Sequence, residues 1–316
     1  MTLLATAQSD EKLTIVLVHF NTPDVTLACI ASLLAMRRTW KVAFNWRIVV
    51  VDNRSQTPAF EALMAGIDRL ADPDVILVRN CLNAGFGLGC MLGLNYSAAP
   101  YIAFVNSDTS FDSDCFTPLL TFMDANPEIG VVGPQHVSAD GTPERSFGYE
   151  ERLWDRVTGQ RRKPPTTAAT TPIDVDYIFG AFMLFRREAL AVTGGFDPTI
   201  FLFYEEMDIC HRVRKKGYRC VFYPHASFKH IGQASMREIA DTKPESDLSL
   251  LYVIRKNGSF PRYRMLFLMK IVSYAMRAPI KARYRKLLWR LLTMGAPQAL
   301  SARTNQACNF DFINRV

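Results

Sequence analysis

Short apolar runs alternate with longer amphipathic stretches through the first third of the chain. Residues 13–19, residues 46–51 and Val75–Arg79 are almost wholly apolar, as strands buried on both faces are. Between them, residues 25–36 and 58–70 carry apolar side chains at helical spacing. The order strand, helix, strand, helix, strand predicts an α/β fold with a mostly parallel sheet flanked by helices.

The later part of the chain repeats these patterns less regularly. A glycine-rich turn opens a predicted helix that extends to about residue 97, and an apolar run follows at residues 101–105. Further helices are predicted at residues 111–123, 186–192 and 205–216, and further strands at residues 129–133, 176–185 and 220–223. The polar residues 149–171 are interpreted as an acceptor-facing loop.

Polar residues follow the first two predicted strands. Asn21 comes after the first strand, and Asp52, Asn53 and Ser55 come after the second. Ligands of parallel α/β sheets bind at the carboxyl ends of the strands, where such side chains can bind a nucleotide base or ribose. Asx and Ser residues are also favoured in ordinary turns, and that explanation stays open.

Two further strand-end segments are candidates for binding an anion and a metal ion. The segment 83–89 is rich in glycine at a helix start, where free N–H groups suit an anion, but it matches neither the Rossmann nor the Walker spacing. Asp108 follows the strand at residues 101–105, where a carboxylate can hold Mg²⁺ or Mn²⁺ together with phosphates. A turn or helix-cap role is the alternative for Asp108.

Three carboxylates lie within four positions at Glu205, Glu206 and Asp208, directly after an aromatic run. Such a cluster is costly at an apolar boundary unless protons, cations or hydroxyl groups meet its charges. The acids could therefore serve a reaction. They could equally complement the dipole of a helix N-terminus, with Asp208 paired to Arg212 at i, i+4.

Composition indicates a folded protein of a reducing compartment. The chain of 316 residues is 49% hydrophobic and 21% charged, and its seven cysteines are scattered without a CxxC pair. No signal peptide and no apolar run long enough to span a bilayer is read, so a cytoplasmic location is expected.

The positive net charge of +7 is concentrated near the end of the chain. Eleven of the 37 Lys and Arg residues, and none of the 30 acidic residues, lie between Leu248 and Leu300. Residues 260–292 mix these cations with aliphatic and aromatic residues at helical spacing, and Pro279 divides them into two predicted helices. The pattern fits helices lying on an anionic membrane surface, or a helical cap with a solvated basic face. Nucleic-acid binding is not favoured, because no recognised module accompanies the charge.

Seven motifs in order resemble family-two glycosyltransferases of the GT-A fold, especially bacterial rhamnosyltransferase-like members. They read VDNRS, NAGFGLG, VNSDT, IFGAFMLFRREAL, GGFD, FLFYEEMDICHRVRKKGY and HIGQAS, within residues 13–235. The resemblance implies an inverting, metal-dependent transfer of a sugar to a polyprenyl-linked or polysaccharide acceptor, in synthesis of surface polysaccharide such as O-antigen. The implied donor is a nucleoside diphosphate sugar such as dTDP-rhamnose.

The resemblance also implies roles for individual residues. The implied nucleotide and donor contacts are Asn21, Asp52, Asn53, Ser55, Asn83, Gly85, Gly87 and Asn106. Asp108 and His230 would hold Mg²⁺ or Mn²⁺, with Asn106 replacing the first acid of the family's DxD motif. Glu206 would be the catalytic base, preceded by Glu205 and followed by Asp208.

Two departures from the family pattern affect this assignment. Met91 stands where the family usually has Asn, and the base is Glu where Asp is commoner, so the choice between Glu205 and Glu206 stays open. A catalytic domain is expected over residues 1–240, with a nucleotide half at 13–110 and an acceptor half at 111–240, followed by a basic helical tail at 241–316. A nucleotidyltransferase and a non-catalytic nucleotide-sugar or membrane-binding protein are the rival functions.

Overall fold

A computed structural model describes residues 10–150, 169–230 and 242–293 of the chain. Its strands are β1 (Glu11–His19), β2 (Asn45–Asp52), β3 (Val75–Arg79), β4 (Tyr101–Asn106), β5 (Thr109–Ser110), β6 (Ile129–Val137), β7 (Phe147–Gly148), β8 (Ile173–Asp174), β9 (Tyr177–Ile178), β10 (Phe182–Arg186) and β11 (Arg219–His230). Its helices are α1 (Pro23–Thr39), α2 (Thr57–Leu70), α3 (Gly85–Leu94), α4 (Phe116–Ala125), α5 (Arg187–Thr193), α6 (Glu205–Lys215), α7 (Thr242–Asn257), α8 (Phe260–Arg277) and α9 (Ala282–Thr293). Most of the predicted acceptor loop, residues 151–168, lies outside the described residues.

Nine of the eleven described strands form one large mixed sheet in the order β3-β2-β1-β4-β10-β6-β11-β5, with β8 also paired to β11. Strands β1 to β4 are parallel, β10 is antiparallel to β4 and β6, and β11 is parallel to β6. The carboxyl ends of β1, β2, β4, β6 and β11 therefore reach the same edge of the sheet. Because ligands bind at this edge in α/β sheets, it is the part of the fold to inspect for a site.

Helices cover both faces of the sheet, which explains why the central strands are apolar without interruption. Leu13, Ile15 and Leu17 of β1 belong to the core shared with α1, α2 and α4. Val16 of the same strand belongs to the second core, shared with α3, α5 and α6. The predicted α/β architecture is confirmed, since successive residues of a strand point to opposite faces and both faces are buried here.

Two predicted strands differ in the structure. The run predicted as one strand at residues 176–185 is divided, because β9 pairs with β7 in a small separate sheet whereas β10 pairs with β4 and β6. The strand predicted at residues 220–223 continues to His230, because its pairing with β6 resumes after an irregularity between Tyr223 and Ser227. This extension brings the end of β11 to the ligand-binding edge.

The helix predicted to start at residue 111 begins later. Thr109 and Ser110 instead form β5, which pairs with the end of β11 in the register His230 to Thr109. The helix α4 starts at Phe116. Residues 111–115 lie between β5 and α4, and Oδ1 of Asp114 accepts the first N–H groups of α4, those of Phe116 and Thr117, at 3.0 Å each.

The basic segment forms helices on the outside of α6. Helix α7 packs on α6 through Val253, which shares a buried cluster with Met207 and Ile200. Helices α8 and α9 are separate, as the position of Pro279 predicted. Within the described part of the chain, no helix is both long enough and apolar enough to cross a membrane.

Candidate active site

Short hydrogen bonds join the carboxyl ends of β1 and β2. The backbone N–H of Asn21 donates to Ser55 Oγ at 2.8 Å, and Asn21 Oδ1 accepts from the N–H of Gln56 at 2.8 Å. Asn21 and Arg54 both have positive φ angles, of 57° and 67°. Non-glycine residues in this conformation carry strain that clusters at functional sites. The two strand ends thus form one rigid, strained corner.

Asp52 lies beneath this corner and is fully buried. Its carboxylate accepts the N–H of Ser55 at 3.2 Å and lies 3.1 Å from Nε of Arg79. Burial raises the pKa of Asp52, while the contacts with Ser55 and the positive charge of Arg79 lower it. Arg79 ends the neighbouring strand β3, and the sequence reading did not select it. Asp52 therefore stabilises the corner through its contacts with Ser55 and Arg79.

Asn53 fixes the glycine-rich turn at the start of α3. Its Nδ2 donates to Asn83 Oδ1 at 2.8 Å and to the carbonyl of Gly85 at 3.0 Å. Its Oδ1 accepts the N–H of Ala84 at 3.1 Å. These hydrogen bonds use the side chain of Asn53 to stabilise the turn. They also fix the direction of the N-terminus of α3.

Gly85 brings the turn against the loop that precedes the acidic helix α6. Its φ is +82°, and a Cβ atom added there would lie 1.9 Å from the carbonyl oxygen of Phe201. The next residue, Phe86, donates its N–H to that same oxygen at 3.2 Å. The predicted nucleotide half and acceptor half of the site therefore meet at Gly85 and Phe201.

Replacing Gly85 with Ala is expected to lower the free energy of unfolding by more than about 2 kcal/mol. The left-handed conformation alone costs a side chain about 1–2 kcal/mol, and the clash with a backbone oxygen adds to it. Gly141→Ala is the matched control, because Gly141 has φ +85° but nothing within 4 Å of an added Cβ. Thermal or urea unfolding of the two variants measures the difference. Equal losses of stability would show that the contact with Phe201 is unimportant.

Asp108 and His230 meet at the same edge of the sheet. Nε2 of His230 lies 2.9 Å from Oδ1 of Asp108, and the side-chain amide of Asn106 lies 3.4 Å from the same nitrogen. The β5–β11 pairing produces this meeting across a separation of 122 residues. The ring of His136, which the sequence analysis did not select, lies 5.1 Å from the ring of His230 between centroids.

The chemistry of these side chains suits a divalent cation. Mn²⁺ accepts both carboxylate oxygen and imidazole nitrogen, and Mg²⁺ typically takes one or two protein ligands plus substrate phosphates. Over the described ranges, no group of three or more His, Cys, Asp or Glu side chains forms a closed metal cage. Asp108 and His230 are side chains of the kind that such a cation accepts, and the 2.9 Å between Oδ1 of Asp108 and Nε2 of His230 lets both reach one ion.

The three acids lie in the first turn of α6, after two strained residues. Phe203 and Tyr204 have φ angles of 69° and 64°. Glu205 is buried, and among the described residues its Oε2 atom has no hydrogen-bond partner. Burial, and then the charge of Glu206, raise the pKa of Glu205 well above its usual value. Burial, and then the charge of Glu205, raise the pKa of the Cys90 thiol on α3. Glu205 therefore lies close to α3.

Glu206 is half-buried, and its surroundings differ from those of Glu205. Burial raises the pKa of Glu206 to about 7, although hydrogen bonds from the N–H groups of Glu206 and Tyr204 act in the opposite direction. Tyr177 of β9 lies nearby: burial and then the charge of Glu206 raise the pKa of Tyr177 to about 12. A carboxylate with a pKa near neutrality is suited to exchanging protons with a substrate.

Asp208 is fully buried and is held by cations. Its Oδ2 accepts from Nη2 of Arg212 at 2.7 Å, which is the i, i+4 pair considered from the sequence. Its Oδ1 lies 2.8 Å from Nζ of Lys256 and 2.8 Å from Nδ2 of Asn257, both on α7. Lys256 also contacts Asp197 of the GGFD motif at 2.6 Å. Asp208 therefore joins α6 to α7. It stabilises the helix whose first turn carries Glu205 and Glu206.

Some residues near the site gave no sequence signal. His136, Tyr177 and Lys256 are brought to it by strand register and helix packing. Arg79 had a weak signal, since it ends a predicted strand next to the one that carries Asp52. No pattern within the segments themselves identifies these contacts.

The family of this chain is shown by its similarity to known proteins. The family model described as "Glycosyl transferase family 2" matches residues 14–194, more than half of the chain. The chain belongs to glycosyl transferase family 2. The match ends before α6, so it covers the Asn21 corner, the glycine-rich turn and Asp108 but not the acids of α6 or His230.

Curated relatives of this family-2 chain are distant. A pre-mycofactocin glycosyltransferase of Mycobacterium tuberculosis is 26% identical over 61% of this chain and 39% of its own length. An N-acetylglucosaminyl-diphospho-decaprenol L-rhamnosyltransferase of the same species is 27% identical over 50% of this chain and 59% of its own length. The chain thus spans about half the length of these relatives.

A solved structure supports the GT-A fold of this family-2 chain. The mannosyltransferase PcManGT of Pyrobaculum calidifontis, in complex with GDP-Man and Mn²⁺, aligns with a TM-score of 0.55. The alignment covers 93% of this chain and 82% of that one, at 16% identity. At this identity the likeness establishes the fold alone, and it agrees with the mixed, mostly parallel sheet described above.

Proposed function

We propose that the chain is an inverting, metal-dependent glycosyltransferase that moves a hexose from a nucleoside diphosphate sugar to an acceptor hydroxyl. The observation that carries the proposal is the meeting of two sets of groups at one edge of the sheet. Asp108 and His230 lie together there, and the loop before the acids of α6 contacts the glycine-rich turn. Membership of glycosyl transferase family 2 gives the reaction class.

Glu206 is proposed as the catalytic base. The acceptor O–H gives its proton to the Glu206 carboxylate while its oxygen bonds to the anomeric carbon and the nucleoside diphosphate leaves. One such displacement inverts the anomeric centre and needs no second nucleophilic carboxylate. Glu206 is favoured over Glu205 because Glu206 is half-buried whereas Glu205 is buried toward α3.

Asp108 and His230 are proposed to hold Mg²⁺ or Mn²⁺, with Asn106 beside them. When bound, the cation supplies Lewis-acid stabilisation of the negative charge on the diphosphate. The protein's part is to hold two ligands together, Asp108 in the turn between β4 and β5 and His230 at the end of β11. The metal in the PcManGT structure supports this choice of cofactor.

The donor contacts are proposed to come from the corner and turn residues Asn21, Asp52, Asn53, Ser55, Asn83, Gly85 and Gly87. Asp52 and Asn53 would act chiefly by shaping the pocket, because their side chains are engaged with protein groups. Asn21 and Ser55 lie in the strained corner that would face the nucleotide.

Rhamnose is the proposed sugar, and a polyprenyl-linked saccharide at the inner face of the cytoplasmic membrane is the proposed acceptor. The support is the name of the second relative, which is a rhamnosyltransferase for a diphospho-decaprenol acceptor. Residues 1–240 are proposed as the catalytic domain and residues 241–316 as a helical extension.

A donor screen by thermal shift tests this function. Nucleoside diphosphates and their sugars, including dTDP-rhamnose and GDP-mannose, are added with and without Mn²⁺. The matching donor at 100 times its Kd is expected to stabilise the fold by about 2.7 kcal/mol, and more weakly without Mn²⁺. Transfer is then measured with that donor and a polyprenyl-diphosphate saccharide. If no nucleoside diphosphate changes the melting temperature under either condition, the proposal fails.

A further inference from the structure

An apolar stripe lies on the outer face of α8 and continues past its end. The stripe consists of Leu268, Met269, Val272, Met276 and Ile280, which are 58%, 51%, 56%, 68% and 82% exposed. Leu268, Val272 and Met276 are four residues apart, so they lie on one face of the helix. On α9, Trp289 and Leu292 are also exposed, at 62% and 63%.

The opposite face of α8 is engaged in the protein. Leu266 and Tyr274 are buried, and Tyr274 donates its hydroxyl to Asp247 of α7 at 2.7 Å. Leu266 packs with Leu251 and Ile254 of α7. Since α8 already satisfies its own core contacts on this face, the apolar stripe is an additional exposed surface. Contiguous apolar patches on a folded chain mark interaction sites.

Exposed cations accompany the apolar stripe. Arg264, Arg277, Lys281 and Arg285 are exposed, and residues 248–300 contain no acidic side chain. A helix with aliphatic residues on one face and cations beside them fits the boundary between acyl chains and anionic headgroups. None of the described helices has the length and hydropathy needed to cross a bilayer.

We propose that the apolar stripe and its four cations bind the surface of a bilayer that contains anionic lipids. The apolar side chains enter the interfacial layer, and the cations contact the headgroups. A second copy of the chain fits less well. A symmetric dimer contact uses the same patch twice and would place these like-charged residues against each other.

The bilayer contact would also orient the candidate active site. Helix α7 joins α8 to the acidic helix, through Leu251 and Ile254 on one side and through Lys256 and Asn257 to Asp208 on the other. An attached membrane surface would therefore hold α6 at a fixed distance from a lipid-linked acceptor. This orientation rests on the proposed function, whereas lipid binding itself does not.

Vesicle flotation with the full chain tests the lipid contact. Vesicles of pure phosphatidylcholine are compared with vesicles containing phosphatidylglycerol, at low and high salt. We expect binding to the anionic vesicles that salt weakens. The variant Arg277→Gln, Lys281→Gln is expected to lose roughly fivefold in partitioning for each cation removed. The triple variant Leu268→Ser, Val272→Ser, Met276→Ser is expected to lower partitioning at least tenfold.

Three controls make the outcome decisive. The variant Met64→Ser, Val192→Ser changes exposed apolar residues outside the stripe and is expected to bind like the wild type. Circular dichroism and melting temperature must be unchanged in the stripe variant, as expected for exposed positions. Glu206→Gln is expected to bind vesicles normally, so failure of the catalytic proposal is distinguishable from failure of this one.

Two results would overturn the lipid proposal. One is equal binding of the wild type and the stripe variant to anionic vesicles. The other is absence of vesicle binding by the wild type. A dimer in light scattering that the stripe substitutions dissociate would then assign the stripe to a second copy of the chain.

Discussion

Glu206→Gln is expected to lower kcat by roughly 10²–10⁴-fold while leaving the Kd for the donor close to the wild-type value. Gln keeps nearly the shape of Glu but cannot accept the proton of the acceptor hydroxyl. Single-turnover transfer and donor titration, measured on the same preparation, separate the chemical step from binding. The site lies at the N-terminus of α6, so the amide can keep the helix start intact.

The pH dependence of this reaction has a defined direction. Burial raises the pKa of Glu206 to about 7, and a base must be ionised to act, so kcat is expected to rise with pH through about 7. Because Glu205 and Glu206 interact, the midpoint belongs to the pair. The residual activity of Glu206→Gln is expected to lose this rise.

Glu205→Gln is the matched control for the assignment of the base. Its carboxylate is buried toward α3, so the substitution is expected to leave kcat within about tenfold of the wild type. A large loss in Glu205→Gln together with near-normal turnover in Glu206→Gln would reverse the assignment. Near-normal turnover in both variants would remove the acids from the chemistry.

Asp108→Asn is expected to lower activity at least 100-fold at a fixed Mn²⁺ concentration and to raise the Mn²⁺ concentration needed for half-activation. The substitution removes the only carboxylate proposed for the cation, leaving His230 as its proposed protein ligand. Isothermal titration of Mn²⁺ in the presence of nucleoside diphosphate gives a readout that does not depend on turnover.

Asp112→Asn provides the control for charge in this region. Asp112 is an exposed acid near the same strand end and pairs with Lys229 at 2.5 Å, and surface pairs of this kind contribute little. The substitution Asp112→Asn is therefore expected to leave the activation by Mn²⁺ unchanged. If Asp108→Asn and Asp112→Asn behave alike, Asp108 is not the metal ligand.

From the sequence, the acids at Glu205, Glu206 and Asp208 could serve a reaction or complement the dipole of a helix N-terminus, and both explanations stayed open. The pairing of Asp208 with Arg212 could be anticipated, because i, i+4 neighbours meet on any helix. The additional contact with Lys256 could not, because it depends on how α7 packs against α6. The same holds for the burial of Glu205, which raises its pKa well above the usual value.

The contact between Asp108 and His230 illustrates the same division. Asp108 could be selected as a candidate because a carboxylate soon after a buried strand is a local feature of the sequence. Its contact with His230 requires β11 to run to its full twelve residues and β5 to pair with its end. The apolar pattern predicted only the first part of that strand.

The order of residues was enough to predict the alternation of strands and helices, the positions of the polar residues after the strands and the basic, acid-free character of residues 248–300. These follow from the order of side chains along the chain, because periodicity and local composition decide which faces can be buried. The folded arrangement was needed to learn which of these residues meet, how deeply each acid is buried and which apolar face of α8 stays exposed. Those properties depend on contacts between distant segments, and solvent exclusion by those contacts sets both pKa and accessibility.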